Sequence, residues 1–366
     1  MNVTATCAIL ISRQGLHPCR LTAWVSQTHK AIQWVKANHF NLCTSLGQTT
    51  WELTVFLAQK EGLHQRIVIP SKNPDDFECQ KNRAVEQFQL DMKRVQFQAV
   101  FSNDPKSVFY LRDYKIVSES DILIPISVRN KGHMDTLMSK KHKDNPDALM
   151  KAFQIDYQKK NSRIAYHVTA DKRSQEIVHL SPEYLIHWTR ASNTPWPTET
   201  KSDYFESIMQ DKCYPRHALA TLENILTTGR LIASDRHMPQ KIATVSFSAL
   251  PPHKAMSLMH WRARYRQMSF EPYGIGIEKR YASMIGIHAV HYYDRLKKKP
   301  GHIDPWLCQS TGTLSNWTLE QEYRCLGDLN LSGIPSEKLI CFCYQKDEAE
   351  NIQQKFGIKT LEMVRN

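Results

Sequence analysis

Five short apolar runs, Cys7–Ile11, Phe40–Thr44, Arg66–Pro70, Val95–Phe101 and Asp121–Ile126, mark out the first part of this chain. Each has the length and bounds of a buried strand. Between the first two, Leu21, Trp24, Val25, Thr28, Ile32 and Val35 recur at three and four residues, which is one face of a helix. Trp51–Lys60 also reads as a helix, and Val117–Ser120 closes another. Strands separated by helices require crossover connections, so the expectation is an α/β, doubly wound parallel sheet. The start, Met1–Ser12, has no basic residue before its apolar run and reads as a first strand rather than a leader.

Parallel sheets of this kind bind ligands beyond the carboxyl ends of their strands. Those ends carry Ser12-Arg13-Gln14, Thr44-Ser45-Leu46-Gly47-Gln48 and Ser127-Val128-Arg129. The second is a small polar turn running straight into a helix, whose free N–H groups and dipole favour an anion. It reads equally as an ordinary strand–helix turn capped by Ser45 or Thr49. Neither a P-loop nor a G-x-G-x-x-G pattern occurs there.

The Ser45-Leu46-Gly47 turn in its strand–helix setting, with the later Arg112-Asp113 pair and Asp121 before a strand, resembles the SLOG superfamily of Rossmann-like domains. That group includes nucleotide-processing enzymes, ligand sensors and DNA-binding proteins. Pro125-Ile126-Ser127-Val128-Arg129 stands where its nucleotide-hydrolysing members carry Pro-Gly-Gly-x-Gly-Thr, so the resemblance implies binding rather than catalysis. The implied set is Ser12, Arg13, Ser45, Gly47, Gln48, Arg112, Asp113 and Arg129, with the arginines contacting phosphate.

Ser139–Asp147 is polar, holds Asn145-Pro146 and lacks a periodic face. It suggests a SLOG-like domain over 1–140, a linker and helix (Ala148–Tyr157) over 141–160, and an effector domain over 161–366. Beyond it come expected strands at Arg163–Thr169, Tyr184–Thr189, Ile242–Phe247, Tyr273–Glu278, Ile287–Tyr293 and Leu339–Tyr344. Helices are expected at Ala218–Thr227, ended by Gly229, and at Met256–Tyr265. This pattern is α+β.

Asn316–Arg324 holds Glu320 and Glu322, one residue apart, which share a face if the segment is extended. It reads alternatively as a helix turn with a Glu320–Arg324 pair. The order His187-x-Thr189, Asn224–Leu231, Val245-Ser246-Phe247-Ser248, Tyr273–Ile277, then Glu320–Arg324 resembles abortive-infection proteins of bacterial anti-phage defence. More remotely, it is similar to ADP-ribosyltransferases. The resemblance implies that NAD is used, in ribosyl transfer or glycohydrolysis. His187 would hold the nicotinamide ribose beside Thr189, Glu322 would stabilise ribosyl transfer, and Glu320 would be the upstream acid. Tyr265 or Tyr273 would stack on the base. Glu322→Gln is then expected to abolish turnover and leave folding nearly intact.

A formal charge of +12 over 366 residues, spread over both halves, suits contact with polyanions, and a non-enzymatic nucleic-acid-binding protein is the competing expectation. The clusters Lys140-Lys141-His142-Lys143 and Lys297-Lys298-Lys299 read as exposed loops. Nine cysteines without paired spacing imply reduced thiols in a cytoplasm, and no metal site is expected.

Overall fold

The computed structural model describes residues 5–104, 106–158, 164–166, 169–181, 183–236, 238–263, 265–294, 301–311 and 317–365. The chain divides into two units, Met1–Ser162 with Asn193–Pro215, and Arg163–Ser192 with Arg216–Asn366.

In the first unit, β1 (Thr6–Ile11), β2 (Asn41–Ser45), β3 (Gln65–Ser71), β4 (Val95–Phe101) and β5 (Ile122–Ser127) form a parallel sheet in the order β4-β3-β2-β1-β5. Helices α1 (Ala23–Ala37), α2 (Thr49–Lys60), α3 (Pro74–Phe88), α4 (Ser107–Ser118) and α5 (His133–Asp144) connect and follow the strands. Alternation along β1 shows the two-sided cover. Cys7, Ile9 and Ile11 pack in one cluster with residues of α1, α2 and α3, and Ala8 and Leu10 in another with α4 and α5. Each large apolar side chain so buried contributes about 1.5–3 kcal/mol. The doubly wound α/β arrangement is therefore present.

The linker region differs from expectation. Lys140, Lys141, His142 and Lys143 lie in the last turns of α5 rather than a loop, because Met134 and Met138, one turn apart, anchor the helix and cations suit its C-terminus. Ala148–Tyr157 is not helical. After a short 3-10 turn at Pro146–Ala148, the chain runs along the open edge of β5, where Met150 N–H donates to Leu123 O (2.9 Å) and Ile155 N–H to Ile126 O (2.7 Å). The sheet edge supplies acceptors that outweigh a weak helical period.

The second unit is built on a seven-stranded sheet. Its strands, in spatial order, are Ile287–Ala289, Glu322–Leu326, Thr244–Ser248, Tyr184–Trp188, Gly274–Glu278, Leu339–Cys343 and Thr360–Glu362. All neighbours are antiparallel except the last pair. One face packs Leu185, Val245, Phe247, Ile275, Ile277 and Cys341 against Leu222 of helix Ala218–Thr228 and Ile352 of helix Lys346–Phe356. Gly229 ends the former in the left-handed region (φ 63°), where glycine carries no steric penalty. The expected Met256–Tyr265 helix is absent. A 3-10 turn at Met256–Leu258 is closed by Ser269, whose hydroxyl donates to Leu258 O, and a hairpin of Trp261–Arg262 with Gln267–Met268 follows. Of the expected Arg163–Thr169 strand, 164–166 are not in a strand and the rest falls largely outside the described residues, as do Lys297–Lys299 and Asn316.

Candidate active site

Antiparallel pairing sets which side chains can meet. Glu322 lies opposite Ser248 and Arg324 opposite Ser246, so these four share one face of the sheet. There the polar side chains are joined. The Ser246 hydroxyl donates to Glu322 Oε1 (2.8 Å), and Arg324 grips both oxygens, Nε to Oε1 at 2.8 Å and Nη2 to Oε2 at 2.9 Å. Arg324 is almost fully buried and also donates to Trp306 O (2.7 Å) and Gln309 Oε1 (2.8 Å). Such two-pronged, charge-assisted contacts fix a carboxylate in position. The Glu322 backbone N–H donates to Tyr292 Oη at 3.0 Å.

Glu320 is held differently. It ends a 3-10 turn (Trp317–Glu320), and Gln321 has a positive φ (47°) before the strand begins at Glu322. The two acids therefore do not lie along one extended segment, nor does Glu320 pair with Arg324 as a helix turn would allow. The Glu320 carbonyl accepts from the Ser248 hydroxyl. Burial, reinforced by the neighbouring Glu322 charge and opposed by Arg262, pushes the Glu320 carboxyl up to about 7.

Among the described residues, His187 is connected to Glu322 only through Ser246. The strands Tyr184–Trp188 and Thr244–Ser248 pair only at Ile186 and Ser248. Register places His187 opposite Ile275, on the face occupied by Phe247, whose ring it meets edge-on at 5.9 Å. It thus does not share a face with Glu322. Where the ladder stops, its Nδ1 bonds to the Ser246 carbonyl at 2.9 Å. A carbonyl only accepts, so Nδ1 carries the proton. Burial, with a smaller contribution from Arg190, pushes the imidazole pKa down, and the neutral ring presents Nε2 as an acceptor. Ser246 joins the two sides: its carbonyl holds His187 and its hydroxyl holds Glu322.

The other implied contacts divide. Thr189 is buried, and its hydroxyl lies within bonding distance of Tyr273 O (3.1 Å) and Ala218 O (3.3 Å), so it ties backbone together. Tyr273 is also buried, its hydroxyl donating to Glu348 at 2.9 Å, which leaves no open ring face for a base. Tyr265 is the half-buried one, with the Arg262 guanidinium 4.8 Å from its ring centre. The sequence reading gave no role to Arg190, three residues beyond His187, or to Glu271. Glu271 is 2 % exposed; it accepts from Ala191 N–H (2.7 Å) and from the Tyr166 hydroxyl, and burial raises its pKa. No local motif marks it; only tertiary packing does.

At the strand ends of the first unit, the polar groups largely satisfy one another. The Ser45 hydroxyl donates to Val68 O (2.7 Å). Gly47 has a positive φ (85°), and its N–H donates to Glu52 Oε1 (3.2 Å), an acid that also pairs with Lys201. A carboxylate of the chain itself therefore sits at the α2 N-terminus, with Gln48 at the cap position without a side-chain cap bond. Arg112 is buried, bonded to Asp113 (2.7 Å) and stacked beside Trp51 and Phe109. The Ser12 hydroxyl accepts from Arg129 N–H (2.9 Å), while the Arg13 and Arg129 side chains are exposed.

No family model matches the chain, and no curated protein matches it. Among solved structures it is similar to DNA processing protein A from Helicobacter pylori, described for its single-stranded DNA binding mode, with a TM-score of 0.30 and 11% identity over 40% of this chain and 63% of that one. It is also similar to DNA processing protein A from Streptococcus pneumoniae, with a TM-score of 0.29 and 11% identity over 38% of this chain and 48% of that one. The chain thus spans about half to just under two thirds of the length of these proteins.

Proposed function

We propose that the second unit breaks the nicotinamide–ribose bond of NAD, in ADP-ribosyl transfer or glycohydrolysis, and that the first unit binds a nucleotide or phosphate ligand that governs it. The observation that carries this reading is the carboxylate pair. Glu322 is fixed in position by Ser246 and Arg324, while Glu320 beside it sits near the pKa useful for proton transfer at neutral pH. Loss of nicotinamide develops positive charge on the ribose, and a positioned carboxylate stabilises it. Glu322 takes that role. Glu320 accepts the proton of the attacking water or acceptor group. His187 Nε2 accepts a hydrogen bond from a ribose hydroxyl across the gap between the strands. A place in anti-phage defence follows from the sequence resemblance alone.

Nicotinamide release from NAD by the full chain tests this, with Glu320→Gln as the control for Glu320. Release that the substitution cuts at least ~100-fold supports it. A second reading has its own observation: α4 exposes Phe109, Tyr110 and Tyr114, with Lys106 exposed nearby, a mixture that suits stacking on single-stranded nucleic acid. Oligonucleotide binding that falls steeply with salt, without NAD turnover, would favour that alternative.

A further inference from the structure

The two edges of the parallel sheet are finished differently. At β5 the chain itself lies along the edge, with the Met150 and Ile155 N–H groups donating to strand carbonyls. At the other edge, β4 has β3 as its only strand partner among the described residues. Gln65 N–H donates to Arg94 O (2.9 Å) and Ser102 N–H to Ser71 O (3.3 Å), and in a parallel ladder the bonding residues alternate. Every second residue from Arg94 to Ser102 therefore turns its backbone groups to β3, and Val95, Phe97, Ala99 and Phe101 turn theirs to the open side. Such an edge is ordinarily guarded by a charge, a proline, a bulge or short length. The seven residues of β4, Val-Gln-Phe-Gln-Ala-Val-Phe, run in unbroken register and carry none of these guards.

We infer that β4 is the contact between two copies of this chain, paired antiparallel about a two-fold axis at Gln98 so that their sheets become one. The edge is complementary to itself. This pairing sets Val95 opposite Phe101 and Phe97 opposite Ala99, each twice, and these are the residues whose backbone groups face outward. A large ring meets a smaller side chain in every pair. The chain carries a formal charge of +12, yet β4 holds no charged residue, so two copies meet here without like charges face to face. Beyond the strand ends, exposed Lys93 of one copy falls beside exposed Asn103 and Asp104 of the other, which brings opposite charges together at both ends.

Gln98 supplies an independent observation. It lies on the α4 side of the sheet, because Val100, two residues on, packs with the cluster that holds Ile116 and Val117. Its Oε1 is buried and has no hydrogen-bond partner, a state that costs stability. Across the axis Gln98 faces its own copy at a non-hydrogen-bonded position, where side chains approach most closely. The terminal torsion of glutamine is broad, so the Nε2 of one amide can turn to donate to the Oε1 of the other.

The test is sedimentation of the full chain over about 1–100 μM, with Ala99→Pro and Gln98→Lys alongside. The parent should approach twice its mass of 42.5 kDa as concentration rises. Ala99→Pro removes a donor aimed at the partner and none from the β3 ladder, and Gln98→Lys sets two like charges opposite each other, so each should weaken the dimer at least ~10-fold. Gln98→Lys decides the matter if Ala99→Pro does not fold. Cross-linking checks the register, in a background with the exposed Cys79→Ser and Cys213→Ser. There Gln98→Cys should give a covalent dimer on mild oxidation and Gln96→Cys should not, because only residue 98 meets its own copy. A parent that stays monomeric throughout, which would leave the edge to a different polypeptide, overturns the inference. So does a dimer indifferent to both Ala99→Pro and Gln98→Lys, or Gln96→Cys cross-linking as readily as Gln98→Cys.

Discussion

The strand ends of the first unit and the gap in the second are both polar, yet they differ in how well their charges are satisfied. Around Ser45–Gln48, the charged groups have partners, Arg112 with Asp113 and Glu52 with Lys201 and the Gly47 N–H, and the Ser45 hydroxyl has a carbonyl, while the Thr44 and Thr50 hydroxyls are buried without a partner. Around Ser246, only part of the set is matched. Glu322 and Arg324 satisfy each other, but Glu320 is pushed up to about 7, and Arg190 sits among other cations. Strained ionisation of this kind concentrates where chemistry is done, while matched charges hold a scaffold. The contrast is the reason for proposing the second unit, rather than the first, as the place of catalysis.

Breaking a matched pair should produce the largest effect. Glu322→Gln leaves Arg324 almost fully buried without its anion, which costs about 3–5 kcal/mol. The substitution therefore does more than silence a charge, contrary to the expectation from sequence, and urea unfolding of the variant should show a clearly lower midpoint. An unchanged midpoint would mean that the pair contributes nothing.

Relieving the strained acid should have the opposite sign. The folded-state pKa of Glu320 is raised from 4.5 to about 7, so the folded chain binds more protons than the unfolded chain between those values. The contribution of this group to stability is full below about 4.5, falls as pH rises through 7, and stays low above it. Glu320→Gln should thus gain about 1–3 kcal/mol over the parent at pH 8 and lose that advantage at pH 4. Thermal unfolding at the two pH values checks it, and a destabilised variant at pH 8 would show that the carboxylate is satisfied after all.

The smallest effect belongs to the first unit. Gly47→Asp puts a side chain at φ 85° and a second negative charge beside Glu52, at a cost of about 1–2 kcal/mol. No atom lies within 4 Å of the added Cβ, so the fold should survive. The nucleotide binding proposed for the first unit should weaken markedly, and calorimetry showing unchanged affinity would remove Gly47 from any anion site.

The parallel sheet was legible because its strands are uninterrupted apolar runs and α1 repeats Trp24, Val25, Thr28, Ile32 and Val35 on one face. Helix α3 was not, since it buries only Ala84 and Phe88 and depends on the Asn73 cap and Pro74. The end of α5 was mistaken for a loop because lysines mask a helix anchored by two methionines. In the second unit, Glu320, Glu322 and His187 stood out from sequence spacing. The link of His187 to Glu322 through the carbonyl and hydroxyl of Ser246 depends on a ladder that stops after one pair, which no local pattern encodes. Arg190 and Glu271 likewise acquire meaning only from tertiary neighbours.

The most direct test of the central claim is the pH dependence of nicotinamide release from NAD by the full chain, with Glu320→Gln alongside. With Glu320 as the proton acceptor, the rate should rise through a midpoint at about 7 and level off above it, and the variant should lose both the rate and the midpoint. Absence of release at any pH, or a rate that Glu320→Gln leaves unchanged, would contradict the account.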